Sequence, residues 1–241
     1  MAFLPIVPVP PNGRKQDRLT RLCSRRAAVR GRLSRENVHA RLAAERRSLG
    51  GTHAPSRLQH CLMASPSFRL EPLPGYTPTI GRLVGILTYA RKTTLAAVEG
   101  LSMAELDHLQ DGSSNSIGAL LAHIAAVERG YRILTFEERR PSALEQASWE
   151  PALTLGAEGR RLLRGKPLEY YVHELSEVRL LTLECLAARD DAWLEQTLSV
   201  APAMNAHWAW FHVAEDEISH RGQMRWLRAR LGSAATGPVH F

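Results

Sequence analysis

The chain has 241 residues, 44% of them hydrophobic, and carries a formal charge of +7 at neutral pH, enough length and apolar content for one sizeable core in one or two domains. Residues 1–62 hold 13 Lys+Arg against 3 Asp+Glu, a balance of +10, and the remainder balances at −3, so a nucleic-acid-binding reading does not extend to the presumptive folded part. No run approaches the roughly 20 apolar residues of a membrane span, and Cys23, Cys61 and Cys185 match no disulfide framework, zinc knuckle or Cys-x-x-Cys redox pair, which fits a reducing cytoplasm.

The first 62 residues read as foreign to the rest. The run from Phe3 to Pro10 is broken by proline and preceded by no positive charge, which makes a poor secretory signal. With few apolar groups to bury, the segment is expected to be largely disordered, with a transient helix between Leu19 and Arg47. It reads as a transit-like or nucleic-acid-binding tail, or as a start assigned too early. The last reading is favoured, because Met63 opens a segment that runs directly into the helical region.

After an extended lead-in (63–78) the patterns become helical. A first helix is expected over about Ile80–Glu99, ending at Gly100, and Ser102 with Glu105 forms a capping box for a short helical turn. A second long helix should begin after Asn115 or Ser116 and reach about Glu137, and Pro141 and Pro151 mark a long connection. A third runs from Pro167 to about Arg189 on a stripe of Val172, Leu175, Val178, Leu181 and Leu186, with Cys185 as a buried thiol. The last runs from Met204 to Leu231 with Gly232 as its cap, and residues 233–241 form a tail. No strand alternation, phosphate loop or repeat competes. The class is all-α, a four-helix bundle with one long crossover connection, over residues 79–232.

On the last helix His212, Asp216 and His220 recur at i, i+4 spacing, which stacks three side chains on one stripe. An imidazole and a carboxylate on consecutive turns can reach one ion, provided another element supplies a further ligand. His123, on the second long helix, is the obvious donor.

These residues carry a resemblance. The Ser116-Ile-Gly-x-Leu-Leu-x-His123 pattern, the Trp210-Phe211-His212 triplet and the His220-Arg-Gly-Gln223 signature make residues 79–232 similar to the DinB/YfiT-like family of metalloenzymes. The resemblance implies a four-helix bundle in which one His of the second helix and two ligands of the last hold a divalent metal. The family pattern has His where this chain has Asp216, so the departure falls on an expected ligand.

The expected ligand set is His123, Asp216 and His220, with His212 as alternate ligand or proton-transfer group. Glu215 is a further catalytic candidate; it and Gln223 could orient an imidazole or a bound water, although helix-surface polarity is the plainer reading of both. Trp208, Trp210 and Phe211 are core residues or, for at most one of them, a pocket wall. His108, His173 and His207 default to the surface.

Two His and one carboxylate suit zinc first, with nickel, manganese or iron also competent. A metal-activated water would make the chain a hydrolase, since such a water reaches a pKa of about 7 in the best zinc cases. The resemblance also implies a low-molecular-weight thiol as cosubstrate and an S-transferase or isomerase class. The rival is a non-catalytic, stress-related metal-binding bundle. Expected partners are a small-molecule substrate and, as an allowed assembly, a second copy in a homodimer, with no nucleic acid and no membrane.

Overall fold

Apolar stripes and capped ends determine where the helices form. The computed structural model describes residues 69–231; the leader (1–62), the first part of the lead-in, Gly232 and the tail lie outside the described residues. In chain order the helices are α1 (Pro78–Val98), α2 (Met103–Leu106), α3 (Ile117–Phe136), α4 (Ala143–Thr154), α5 (Gly156–Leu162), α6 (Leu168–Ala187), α7 (Asp191–Leu194) and α8 (Ala206–Arg228). The capping box of Ser102 and Glu105 opens α2, Ser116 caps α3 through the Ala119 amide, and Asn205 caps α8 through the Trp208 amide. The start of α1 has no cap of its own. Its Thr79 and Ile80 amides instead donate to the Asp191 carboxylate at 3.0–3.1 Å, across more than a hundred residues of sequence.

The long helices close a ring in which α1 packs on α8 and α6, and α3 completes the circuit against the same two. Two apolar clusters fill the interior. One gathers Leu83, Leu87, Tyr131, Leu186 and Trp210; the other gathers Val98, Leu120, Ile124, Leu175 and Met224. Between these layers each long helix contributes one charged residue: Arg91, Glu128, Arg179 and Glu217, both carboxylates being fully buried. Arg91 donates to Glu217 at 2.8 Å and to Glu128 at 2.9 Å, and Arg179 donates to Glu128 at 2.7 Å and to Glu217 at 3.1 Å. The spare guanidinium donors end on the carbonyls of Leu175 and Leu87. The quartet is neutral as a whole and saturated with hydrogen bonds, the condition under which buried charge is tolerated.

Several expectations are corrected. The crossover is not a plain connection: it holds α4 and α5, and Pro151 sits inside α4, where burial of Trp149 and Ala152 against Ala126 and Ile133 overrides its breaking tendency. A two-stranded antiparallel sheet, β1 (Thr197–Leu198) with β2 (Ala201–Asn205), precedes α8, so Met204 belongs to a strand and the last helix begins two residues later. On α6 the buried residues are Tyr171, Leu175, Val178, Thr182 and Leu186 together with Arg179; Val172 is half-buried and Leu181 exposed. Cys185 is half-buried. No described helix is long and apolar enough to cross a membrane.

Candidate metal centre

His123 faces inward from the middle of α3, while Asp216 and His220 occupy consecutive turns of α8, which packs on it. The Nε2 of His123 lies 3.6 Å and that of His220 3.3 Å from Oδ1 of Asp216. One candidate donor atom from each of the three falls within 4.8 Å of the others. The imidazoles meet edge to face with centroids 4.7 Å apart.

The neighbours of the two rings fix what their Nε2 atoms present. Nδ1 of His123 is 2.7 Å from the carbonyl oxygen of Ala152. A carbonyl only accepts, so Nδ1 carries a proton and Nε2 is the nitrogen turned toward Asp216. Ala152 lies in the last four residues of α4, whose carbonyls have no partner within the helix, so the crossover helix supplies the acceptor that orients His123. Nδ1 of His220 similarly faces Oε1 of Gln223 at 3.4 Å. Two imidazole Nε2 atoms and a carboxylate then confront one another, an arrangement that requires protons or a cation among them. Oδ2 of Asp216 is moreover buried with no hydrogen-bond partner among the described residues.

Around a tetrahedral ion with bonds of about 2.0–2.2 Å, donor atoms sit about 3.3–3.6 Å apart; both contacts to Asp216 have that spacing, and a small closing of the wider spread of the set would fit all three residues to a divalent metal. Burial alone would raise the Asp216 pKa, but hydrogen bonding and charge from His123 and His220 outweigh it and hold the carboxyl well below the usual carboxylate range. Burial, followed by the charge of Asp216, pushes the Tyr131 phenol up to about 12.

His212 does not join this group. Its ring stacks on Trp208 at 4.9 Å and meets Tyr131 edge-on at 5.7 Å, and its Nδ1 lies 3.0 Å from the Glu215 carboxylate. The three consecutive acidic residues part ways: Glu215 is exposed beside His212, Asp216 faces the two imidazoles, and Glu217 enters the buried quartet. Trp210 is core, whereas Trp208 and Phe211 are exposed. His173 is exposed, and His108 and His207 are half-buried, His207 facing Glu195 at 3.5 Å.

Sequence reasoning missed Tyr131, the Ala152 carbonyl and the whole Arg/Glu quartet. The quartet had a signal, since each member continues an apolar stripe, as in Leu87–Arg91–Thr94–Val98, and the charges balance two against two. The carbonyl had none.

A family model described as mycothiol-S-transferase matches residues 82–232. The chain belongs to this family. It is a branch of the DinB/YfiT-like superfamily, and the matched span runs from Arg82 on α1 through α8 and includes the His/Asp/His centre. No curated protein matches the chain.

Proposed function

We propose that this chain is a divalent-metal-dependent thiol S-transferase, in which His123, Asp216 and His220 hold the ion and a low-molecular-weight thiol, mycothiol by the family's description, is joined to a small electrophile. The observation that supports this most is the convergence of the three donors from two helices in a chain matched by that family model. When bound, a divalent ion favours thiolate over thiol near neutral pH, and thiolate is the nucleophile that S-transfer needs. Zinc is the ion that the donor set and a sulfur ligand favour, with nickel, iron and manganese as further candidates.

The protein's own groups have distinct tasks. Ala152 and Gln223 hold the two imidazoles with Nε2 toward Asp216. His212, anchored by Glu215 and stacked on Trp208, is placed one turn from Asp216 to take the thiol proton and pass it to solvent. The sulfur then forms a bond to the electrophilic carbon, and the leaving group departs with its electron pair. Exposed Trp208 and Phe211 provide an apolar rim for the electrophile. Against a purely structural site, the side chains of Asp216 and His220 keep 15% and 14% of their surface exposed, so a thiol can reach them from solvent.

The test is transfer of mycothiol to 1-chloro-2,4-dinitrobenzene, followed by thioether absorbance. Activity that disappears on chelation, returns with zinc and falls in His212→Ala supports the reading. Transfer indifferent to chelation contradicts it.

A further inference from the structure

One face of α8 is turned away from the bundle, and its residues follow a coiled-coil period. From Trp208, alternating steps of three and four residues lead to Phe211, Glu215, Ile218, Gly222 and Arg225, all of them exposed. Seven residues advance about 700°, so these positions keep to one stripe with about 20° of drift per heptad. Phe211 is 54% and Ile218 38% exposed, and Trp226 on the flank of the stripe is 47% exposed, an apolar content that a helix facing only water does not need. Gly222 is less favourable in a helix than alanine, yet a Cβ built there meets nothing within 4 Å. Packing among the described residues does not require glycine at that position, whereas a second helix approaching to about 8–10 Å would use the space.

The stripe is complementary to itself when reversed. Glu215 and Arg225 lie equally far from position 220, as do Ile218 and Gly222, and Phe211 and Ala229. A two-fold axis over position 220 lays α8 antiparallel on its copy, and each pair then meets twice, as an isologous interface requires. Glu215 faces the partner's Arg225, Ile218 fills the hollow over the partner's Gly222, and Phe211 covers the partner's Ala229, while Trp208 lies beyond the overlap. Glu215 uses one carboxylate oxygen for His212, which leaves the other for the partner's Arg225. Arg221, which the same axis would set against its own copy, is turned to Thr93 on α1. Exposed ion pairs add little strength, but like charges at these positions are costly, so the charges fix register and direction.

We propose that this face of α8 is the interface of a homodimer in which two copies pack antiparallel about position 220. The two-fold axis keeps the same flank of each helix on the same side. It therefore sets Trp226, braced by the Arg230 guanidinium 3.7 Å from its ring centroid, beside the partner's His212. Each copy adds an indole at the edge of its partner's metal centre. The pairing does not depend on what that centre catalyses.

Sedimentation of the full chain across the micromolar range tests the assignment, and the wild type should sediment as a dimer. Ile218→Asp, Glu215→Arg and Arg225→Glu should each weaken dimerisation at least about tenfold, because each sets unpaired or like charge into the seam. Mixed in equal amounts, the Glu215→Arg and Arg225→Glu proteins should associate again, since in the mixed dimer each reversed charge meets its opposite. Only an antiparallel register that pairs 215 with 225 gives that recovery. Unchanged circular dichroism and zinc content in the variants separate loss of the interface from loss of the fold. A wild type that stays monomeric throughout the range shows that a second copy is not the occupant of this face and overturns the proposal. So does a dimer that all three variants leave intact, or a mixture of the two charge-reversed proteins that fails to recover.

Discussion

His220 presents Nε2 to Oδ1 of Asp216 at 3.3 Å from the next turn of the same helix, while the other oxygen of that carboxylate is buried without a hydrogen-bond partner among the described residues. The i, i+4 spacing brings the pair together, but only His123 on α3 makes it a three-donor centre. A carboxylate in place of an imidazole adds negative charge and a hard oxygen to the donor set. Asp216→His is therefore expected to retain metal and shift preference toward zinc or nickel, and Asp216→Ala to bind more weakly. Competitive loading with equimolar divalent ions checks this; identical occupancy and preference in all three proteins would remove Asp216 from the ligand set.

The buried quartet gives a prediction about stability. Glu217 accepts from both Arg91 and Arg179 with no exposed surface, so Glu217→Ala leaves two buried guanidinium groups under-compensated. It should cost about 3–5 kcal/mol in urea unfolding. Glu215→Ala, two residues away and exposed, should change stability by no more than about 0.5 kcal/mol. Similar losses in both variants would show that the quartet does not hold the bundle.

Acid sensitivity should arise partly at Asp191. Its carboxyl is held at about 2 by hydrogen bonds from Thr77, Thr79 and Ile80, against a smaller opposing effect of burial. A depressed carboxyl pKa contributes stability above its unfolded value near 4, and that contribution is lost as pH falls through about 2. Asp191→Asn should lower stability at neutral pH and flatten the pH dependence between about 4 and 2. An unchanged acid limb would mean that Asp191 does not tie α7 to the start of α1.

Much of the fold was legible because local signals agreed: Ser102, Ser116 and the apolar stripes set the starts of α2 and α3 and the course of the bundle. What failed was decided by tertiary contacts. Pro151 reads as a breaker but sits in α4 because Trp149 and Ala152 find a hydrophobic seat on α3, and Met204 is drawn into a strand by pairing with the β1 segment. The His/Asp/His stripe on α8 was readable from helical spacing, and its meeting with His123 was suggested by resemblance. The orientation of His123 was not readable, since it depends on a backbone carbonyl that any residue at position 152 would present. Glu217 was hidden for a different reason: beside Glu215 and Asp216 it looks like solvated surface, and only its place on the core-facing side of α8 reveals the buried arginine partners.

Orientation of His123 can itself be tested. A proline introduced at Leu153, next to the accepting carbonyl of Ala152, should disturb the end of α4 and with it the ring. Leu153→Pro is expected to weaken zinc binding about 10–100-fold, the usual effect of losing a ligand's hydrogen-bond partner, with the bundle still folded by circular dichroism. Unchanged zinc affinity in a folded variant would show that Ala152 does not position the ligand.

The most direct test of the centre is the metal stoichiometry of the purified chain, measured by plasma mass spectrometry beside His123→Ala and His220→Ala after equal exposure to zinc. The convergence of His123, Asp216 and His220 leads to one tightly held ion per wild-type chain and loss of that ion in each variant, with helical content preserved. Equal zinc content in the wild type and both variants, or none in the wild type after loading, would contradict it.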